Sequence, residues 1–310
     1  MLDRLKRSIR NYKMFHLFLI SLRLKFFQLV ARFIPDDVYV KWQYKRELGK
    51  ELNLINPVSF NEKLQWLKLN WKDDILTTCA DKYKVRDYVK DRIGDRVLTR
   101  LYGAYDSVED IILNDLPESF VLKVTHGSGQ NIICTNKKDI DWGYAFASLK
   151  MYMASNHYYY GREFPYKNIV PKIICEELLN DEGKIPIDYK FYCFNGQPHF
   201  VEVHFDRYGQ RKNNLYDLNW NLLPVEMSYP RFFGVVNKPE CFKEMCDYAQ
   251  ILAKNMPFVR VDFYNFNQRV YFGEMTFYPA NGMDKFSPEN YDEILGSMLT
   301  LPEKLLENVS

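Results

Sequence analysis

The chain reads FVRVDFYNFNQRVYFGEMTF over residues 258–277, two runs of β-branched and aromatic residues joined by a short polar turn. Side chains alternate between the two faces of a strand, so Arg260 and Asp262 share one face of the first strand, and Glu274 and Thr276 share one face of the second. If the hairpin register brings these faces together, two carboxylates converge beside an arginine. Such oxygen ligands suit Mg²⁺, which binds one or two carboxylates together with substrate phosphates. A surface ion pair between Arg260 and Glu274 is the alternative interpretation.

A second candidate site is the sequence KVTHGSGQN at residues 123–131, which lies between two apolar strand patterns. Gly127 and Gly129, with Ser128 between them, allow the backbone to approach a phosphate closely and to direct N–H groups at it. The segment lacks the GK[ST] ending of a P-loop, and no helix follows directly. We therefore predict a hairpin flap over a nucleotide, with Lys123 directed at phosphate oxygens. An ordinary tight hairpin with an exposed lysine is the alternative.

Two acids and a further lysine complete the candidate nucleotide site. Glu176 and Glu177 end an apolar strand pattern, where a carboxylate can accept hydrogen bonds from a ribose. Lys190 follows on the next strand, flanked by aromatic residues, and supplies a second cation for phosphates. Each of these elements is weak alone, but their order along the chain is specific.

That order is a strand lysine, a glycine flap, hinge acids, a second strand lysine, and then Arg-x-Asp and Glu-x-Thr on a hairpin. It resembles the ATP-grasp superfamily. From about residue 56 to residue 297 the chain looks similar to the teichuronopeptide-synthesis ATP-grasp family in particular. The closer match is carried by ADKYKVR at 80–86, by residues 123–131, by YYYGRE at 158–163 and by DYKFYCFNG at 188–196.

The resemblance implies an α+β fold of the ATP-grasp type, with two α+β subdomains of mainly antiparallel sheets after a helical N-terminal region. It implies an ATP-dependent carboxylate-amine ligase that works through an acyl phosphate, with ATP and Mg²⁺ as cofactors. The expected substrates are a sugar acid or polysaccharide intermediate and an amino compound, in bacterial capsule, teichuronopeptide-like or O-antigen synthesis. The identity of the carboxylate and of the amine is left open.

Residue roles follow from the same resemblance. The predicted nucleotide contacts are Lys82, Lys123, Lys190, the glycine loop, and Glu176 or Glu177 at the hinge. Arg260 would face the acyl phosphate together with Lys190, and Asp262 and Glu274 would bind Mg²⁺. The third metal position departs from the family pattern, because Thr276 stands where the superfamily usually has asparagine. A threonine hydroxyl can still bind Mg²⁺ or its water.

Two further groups of residues are candidates for binding the other substrate. Strand periodicity puts Glu202, His204 and Asp206 on one face, next to Arg207. We expect a polar acceptor surface there, with a solvated strand face as the alternative. One strand spaces the three side chains too widely for a single transition metal. Tyr160 and Arg162, in the tyrosine-rich segment, are suited to stacking a sugar and binding its carboxylate, or else belong to a loop packed on the core.

Charge is distributed unevenly along the 310 residues. Residues 1–34 carry eight Lys or Arg against the single acid Asp3, which leaves 34 basic and 39 acidic residues of the chain's 42 and 40. A mildly acidic body disfavours nucleic-acid binding. We expect residues 1–34 to form a basic amphipathic helix that packs on the body or contacts a membrane surface or a partner. The apolar run Met14–Leu22 is too short to span a bilayer, and no secretory cleavage site is evident.

Periodicity predicts a helical region at 35–118 and largely antiparallel strands at 119–310, and the resemblance implies that the latter region is the ATP-grasp body. Asn195-Gly196 is a strong hairpin signal. The six cysteines include no CxxC pair and fit free thiols in a reducing cytoplasm. We therefore expect a cytoplasmic protein, with peripheral contact to the inner membrane face through residues 1–34 as an option.

Three other functions compete. A sugar kinase uses similar residues, but no HRD-like block occurs. A glycosyltransferase of the same pathway would have an Asp-x-Asp pair, and the sequence contains one such pair, Asp139 and Asp141. A polysaccharide-binding module is supported only by the aromatic fraction of 16%. No Ser-His-Asp or Cys-His arrangement is evident, so a hydrolase is disfavoured.

Overall fold

The computed structural model describes residues 2–180, 186–205 and 210–303, with side chains from residue 12 onward. Its helices lie mainly in the N-terminal third, as the sequence predicts. The helices are α1 (Leu2–Ala31), α2 (Asp36–Leu48), α3 (Phe60–Asn70), α4 (Asp74–Ala80), α5 (Val85–Ile93), α6 (Trp142–Met153), α7 (Tyr158–Gly161), α8 (Phe242–Ala253) and α9 (Tyr291–Met298).

The strands form three sheets in which every neighbouring pair is antiparallel. The strands are β1 (Leu101–Tyr105), β2 (Phe120–Val124), β3 (Asn131–Cys134), β4 (Ile173–Glu176), β5 (Ile187–Phe194), β6 (Gln197–Phe205), β7 (Lys212–Asp217), β8 (Glu226–Met227), β9 (Phe258–Phe266), β10 (Arg269–Thr276) and β11 (Phe286–Ser287). The predicted α+β class with mainly antiparallel sheets is confirmed.

Two compact units interleave along the sequence. Unit 1 comprises residues 1–35, 81–83 and 100–178, and unit 2 comprises residues 36–80, 84–99 and 179–310. The division into functional regions at residues 34 and 118 stays a prediction.

Unit 1 is built on a four-stranded sheet in the order β1-β4-β2-β3. Its core includes Phe120, Leu122 and Cys175 from the sheet and Leu149 from α6. The partly buried ring of Trp142 stacks on Phe120, with ring centroids 5.9 Å apart. Burial of this apolar surface holds β2 in place, and β2 carries Lys123.

Unit 2 is built on a five-stranded sheet in the order β10-β9-β5-β6-β7. The turn between β5 and β6 is the predicted Asn195-Gly196, with φ values of 50° and 80°. Positive φ at both positions is what a type I′ hairpin turn requires, which explains this residue pair. Phe191 packs between Phe242 of α8 and Phe263 of β9, with ring centroids 5.6 and 5.9 Å away. This aromatic core fixes the central strands, which carry the charged residues of the opposite face.

Helix α1 contains one segment, Tyr12–Ala31, that meets the length and composition expected of a membrane span. The sequence-based expectation considered only Met14–Leu22. The helix extends the apolar surface of that run to Ala31, which makes the segment longer than expected.

Candidate functional site

The β9–β10 hairpin has the register that the predicted metal site requires. Glu274 lies opposite Asp262, and Thr276 lies opposite Arg260. The same row continues across the sheet, with Lys190 of β5 opposite Asp262 and Glu202 of β6 opposite Lys190. Four charged side chains from four neighbouring strands therefore form one row, in the order Glu274, Asp262, Lys190, Glu202.

Lys190 is buried between two carboxylates. Its Nζ lies 2.7 Å from Oδ2 of Asp188 and 2.5 Å from Oδ2 of Asp262. Burial by itself would lower the pKa of this ammonium group, but the two acids outweigh burial and raise it. Lys190 is therefore a fixed positive charge at neutral pH. Removing one partner of such a buried ion pair is costly, because the other charge is left uncompensated.

Arg260 contacts all three predicted metal ligands. Its Nε and one terminal nitrogen each donate to a different oxygen of Asp262, both at 2.7 Å. The same terminal nitrogen lies 3.1 Å from Oγ1 of Thr276 and 3.4 Å from Oε1 of Glu274. Burial would lower the pKa of the guanidinium, but Asp262 holds it well above its usual range. The alternative of a surface ion pair is therefore too simple, because Asp262 is Arg260's main partner and is buried.

The oxygen atoms of the predicted metal ligands match the preference of Mg²⁺. Among the described residues no group of three or more His, Cys, Asp or Glu is placed to hold a metal by itself. Asp262, Glu274 and Thr276 instead offer two carboxylates and a hydroxyl. Glu274 keeps 38% of its side chain exposed, whereas Asp262 keeps 2%. Two carboxylates fit Mg²⁺ that takes its remaining ligands from phosphates and water.

A second buried network extends from Glu202. His204 Nε2 lies 2.6 Å from its Oε1, and Asn213 Nδ2 donates to the same oxygen at 2.6 Å. The hydroxyl of Tyr192 donates to Oε2 at 3.1 Å. Burial would raise the pKa of Glu202, but His204, Arg260 and Lys190 together outweigh burial and lower the pKa to about 2. Glu202 is therefore an ionised carboxylate inside unit 2.

This burial corrects one sequence-based interpretation. Glu202 and His204 were expected on an accessible polar surface or a solvated strand face, yet each is about 5% exposed or less. Arg211, which sequence reasoning missed, donates from Nε to His204 Nδ1 at 3.0 Å. Because arginine only donates, His204 must carry its proton on Nε2, facing Glu202. Asp206 and Arg207 lie outside the described residues.

In unit 1, Lys123 and Glu176 form an ion pair, with Nζ 2.7 Å from Oε2. Glu176 is nearly buried and Lys123 keeps 25% of its side chain exposed. Glu177 is directed elsewhere, because its backbone N–H and one carboxylate oxygen contact the backbone of Arg100 at 2.9 and 3.4 Å. The structure thus separates two acids that the sequence left equivalent, and Glu176 is the one beside Lys123. The exposed lysine of the alternative interpretation is a paired one.

The glycine loop is held by residues from two other segments. Lys82 Nζ donates to the carbonyl oxygen of Gly127 at 2.7 Å. His126 points inward, with Nε2 at 2.9 Å from the carbonyl oxygen of Ser155, and burial lowers its pKa. Gly129 has φ of +71°, which favours glycine. The loop between β2 and β3 therefore has the backbone geometry of a tight hairpin, with Lys82 beside it, and a nucleotide contact by Lys82 stays a prediction.

Tyr160 and Arg162 lie away from an open substrate surface. Arg162 is buried and donates to the carbonyl oxygens of Ala31 at 2.6 Å and Ile34 at 3.2 Å, at the end of α1. Tyr160 stacks on Phe27 of α1, with ring centroids 5.6 Å apart. The alternative of a packed segment describes these residues, because their polar and aromatic groups hold α1 on unit 1.

The candidate residues therefore form two clusters. Unit 2 brings together Lys190, Glu202, His204, Arg260, Asp262, Glu274 and Thr276. Unit 1 contains the pair Lys123–Glu176 and the Lys82–Gly127 contact.

Several solved structures resemble the chain. The ATP-grasp ligase PsnB complexed with minimal precursor is 10% identical, with a TM-score of 0.38 over 70% of this chain and 58% of that chain. The ADP complex of purK, N5-carboxyaminoimidazole ribonucleotide synthetase, is 13% identical, with a TM-score of 0.42 over 70% and 50%. D-alanine–D-alanine ligase from Bacillus anthracis complexed with ATP is 13% identical, with a TM-score of 0.38 over 78% and 62%. In each case the chain spans less than two thirds of the other protein's length.

None of the curated proteins matches the chain. A family model described as TupA-like ATPgrasp matches residues 62–300, which include every candidate residue of both clusters. Membership rests on this match, which covers most of the 310 residues. The chain belongs to the TupA-like ATP-grasp family of ATP-dependent ligases.

Proposed function

We propose that this protein uses Mg-ATP to activate a carboxylate and joins it to an amine in the synthesis of a bacterial cell-surface polysaccharide. Family membership supports the use of ATP for ligation. The polysaccharide setting rests on the resemblance to the teichuronopeptide-synthesis family. The carboxylate is then a sugar acid or polysaccharide intermediate, and the amine an amino compound.

One observation carries the proposal. Lys190 and Arg260 lie beside Asp262 and Glu274, and these two carboxylates belong to one row of the five-stranded sheet. Lys190 and Arg260 both contact Asp262, and Arg260 also reaches Glu274. Phosphoryl transfer needs fixed positive charge around the transferred group and carboxylates for a metal ion. A fold-stabilising ion pair alone would not need Glu274, which is partly exposed.

The reaction proceeds in two steps. First, an oxygen of the carboxylate forms a bond to the γ-phosphorus of ATP while the bond to the bridging oxygen breaks, which gives an acyl phosphate and ADP. Next, the amine nitrogen attacks the acyl carbon, inorganic phosphate leaves with the bonding electrons, and the nitrogen loses a proton. The product is an amide, and no covalent enzyme nucleophile is required.

Lys190 and Arg260 stabilise negative charge on the transferred phosphoryl group. Asp188 and Asp262 hold both cations in position before the substrate binds, so little reorganisation is needed during the reaction. Asp262 and Glu274, with Thr276, would hold Mg²⁺. When bound, this ion neutralises phosphate charge.

Glu202 and His204 have a positioning role in this proposal. Glu202 lies next to Lys190 in the row and accepts a hydrogen bond from Tyr192, which lies opposite Arg260. Its network therefore supports both cation-bearing strands. In unit 1, Lys123 would contact ATP phosphates and Glu176 the ribose, with the glycine loop covering the nucleotide.

Hydroxylamine trapping tests the acyl phosphate directly. The protein, Mg-ATP and a panel of sugar acids are incubated without amine, and hydroxylamine is added to convert an acyl phosphate into a hydroxamate. We expect ADP and hydroxamate in equal amounts with the correct carboxylate. A kinase would form a stable phosphate ester and no hydroxamate. That result, with a carboxylate shown separately to bind, would overturn the ligase proposal.

A further inference from the structure

Helix α1 has two apolar faces. At about 100° per residue, Leu17, Leu24 and Ala31 lie within about 40° of one another on one face. Leu17 and Ala31 are buried against unit 1, and Leu24 is partly buried. A surface helix of a globular protein normally has a polar face opposite its buried one. In α1 the opposite face is apolar as well.

We define this opposite face as the exposed stripe. It spans about 80° of the helix circumference and runs along most of the helix from residue 15. Its side chains are between 49% and 81% exposed. Its central members are Phe15, Phe18, Leu22, Phe26 and Leu29, and Phe33 follows in the turn after the helix. Contiguous apolar surface of this kind marks an interaction site.

Basic residues flank the stripe on both sides. On the helical wheel Arg23 lies about 100° to one side of its centre and Lys25 about 60° to the other, and Arg32 follows in the turn after Ala31. All three side chains are exposed. Phenylalanine and leucine on one face, edged by Lys and Arg, are the pattern of a helix that lies in a membrane interface.

Contacts along its length hold α1 on the rest of unit 1. Lys13 lies over the ring of Tyr144, and Arg32 lies over the ring of Tyr159, each 5.8 Å from the centroid. Between these ends the helix packs against α6, and Arg162 fixes its last turn through the carbonyl oxygen of Ala31. The attached face runs for about 18 residues, or roughly 27 Å.

We propose that the exposed stripe inserts into the headgroup region of an anionic lipid bilayer, with α1 parallel to the membrane plane. The inserted phenylalanines gain apolar burial, and the flanking basic residues meet anionic headgroups. The attached face argues against a membrane-spanning orientation, since spanning would separate Leu17 and Phe27 from unit 1. The basic flanks argue against a second copy of this chain as the occupant, because they favour a negatively charged partner.

Vesicle flotation tests the docking. The full chain is mixed with phosphatidylcholine vesicles that contain no phosphatidylserine or about a third of it. We expect binding to the anionic vesicles. Phe18→Ser with Phe26→Ser should weaken it about a hundredfold, because each buried phenylalanine contributes more than tenfold. Arg23→Gln with Lys25→Gln should weaken it about tenfold or more on anionic vesicles only.

The matched control replaces two exposed apolar residues elsewhere. Ile55 and Phe233, in unit 2, are 87% and 88% exposed. Ile55→Ser with Phe233→Ser should leave vesicle binding unchanged. The proposal would be overturned if the Ile55→Ser, Phe233→Ser variant lost as much vesicle binding as the Phe18→Ser, Phe26→Ser variant. It would also be overturned if the full chain did not bind vesicles. Light scattering that shows a lipid-free dimer abolished by the Phe18→Ser, Phe26→Ser change would overturn it as well.

Insertion depth tests the orientation. Trp is introduced singly as Phe15→Trp, Phe18→Trp and Phe26→Trp, and quenching by lipids brominated at different chain positions is measured relative to the unsubstituted chain. An in-plane helix predicts the same shallow depth for all three positions. A spanning helix separates positions 15 and 26 by about 17 Å along the bilayer normal, which would contradict the proposal.

Discussion

At the residue scale, the two predicted metal carboxylates differ in ways that the sequence does not reveal. The side chain of Asp262 is 2% exposed and contacts both Lys190 and Arg260, whereas Glu274 keeps 38% of its side chain exposed. Strand alternation was enough to predict that the two acids converge. Their burial depends on Lys190, which comes from a distant segment, and no local pattern encodes it.

We therefore predict different effects on stability for two similar substitutions. Glu274→Gln should lower kcat at least about a hundredfold while changing the free energy of unfolding by less than about 0.5 kcal/mol, as for an exposed site. Asp262→Asn should also destabilise by about 3 kcal/mol, because it removes the carboxylate that Lys190 and Arg260 share and leaves each cation with one remaining acid. Urea unfolding and steady-state kinetics measure both. Glu289→Gln, at an exposed ion pair with Lys50, is the control.

The same argument predicts an acid rescue. Lys190→Met leaves Asp188 and Asp262 close together without their shared ammonium group. Their carboxyl pKa values should then rise above those in the folded wild type, so the variant takes up protons and regains stability as pH falls from 7 to 5. Lys123→Met, which removes a partly exposed lysine, should not show this. A similar loss of stability on acidification in both variants would contradict the assignment of Lys190 as the shared partner of the two carboxylates.

At the element scale, sequence patterns identified the strands that carry phenylalanine and valine but missed β1, β7 and the two-residue strands β8 and β11. β7 reads KNNLYD, and its two asparagines argue against a strand. In the structure both are buried, and their side chains bond to Glu202, to Tyr216 and to backbone carbonyls. The buried polar network requires asparagine at these positions, so strand propensity alone could not predict β7.

Close approach between α9 and the start of α3 gives a prediction. A Cβ on Gly296 would lie 2.1 Å from the carbonyl oxygen of Val58 and 2.8 Å from the backbone nitrogen of Phe60. Gly296→Ala should therefore destabilise by about 3 kcal/mol, because backbone on both sides must shift. Gly49→Ala, at φ of +71° with nothing within 4 Å, should cost only about 1 kcal/mol. Chemical unfolding of both variants measures the difference, and equal costs would refute the packing.

Burial also predicts opposite pH responses in the two units. It lowers the pKa of His157 in unit 1 to about 4, so unit 1 binds fewer protons when folded and loses stability as pH falls from 6.5 to 4. It raises the pKa of Asp284 in unit 2 to about 6, so that group's contribution instead falls as pH rises from about 4 to 6. Each shift corresponds to about 3 kcal/mol. Amide exchange in β2 and β9 measures the two responses, and His157→Phe should remove the first.

At the scale of the whole molecule, the order of motifs along the chain predicted the family before any geometry was known. The α+β class and the antiparallel sheets follow from alternating apolar strands and the Asn195-Gly196 turn. What the order did not predict is the role of Arg162, which lies in a matching segment but holds α1. A motif gives a residue's neighbours in sequence, whereas its partners are set by tertiary packing.

The central claim is that a carboxylate oxygen attacks the γ-phosphorus of ATP. Transfer of ¹⁸O tests this most directly: the substrate carboxylate is labelled, the complete reaction with amine is run, and the released inorganic phosphate is analysed by mass spectrometry. The ligase predicts one ¹⁸O atom in each phosphate, because the acyl phosphate keeps the attacking oxygen on phosphorus when the amide forms. Glu274→Gln should lower the rate without changing this labelling. Amide formation with unlabelled phosphate would contradict the account.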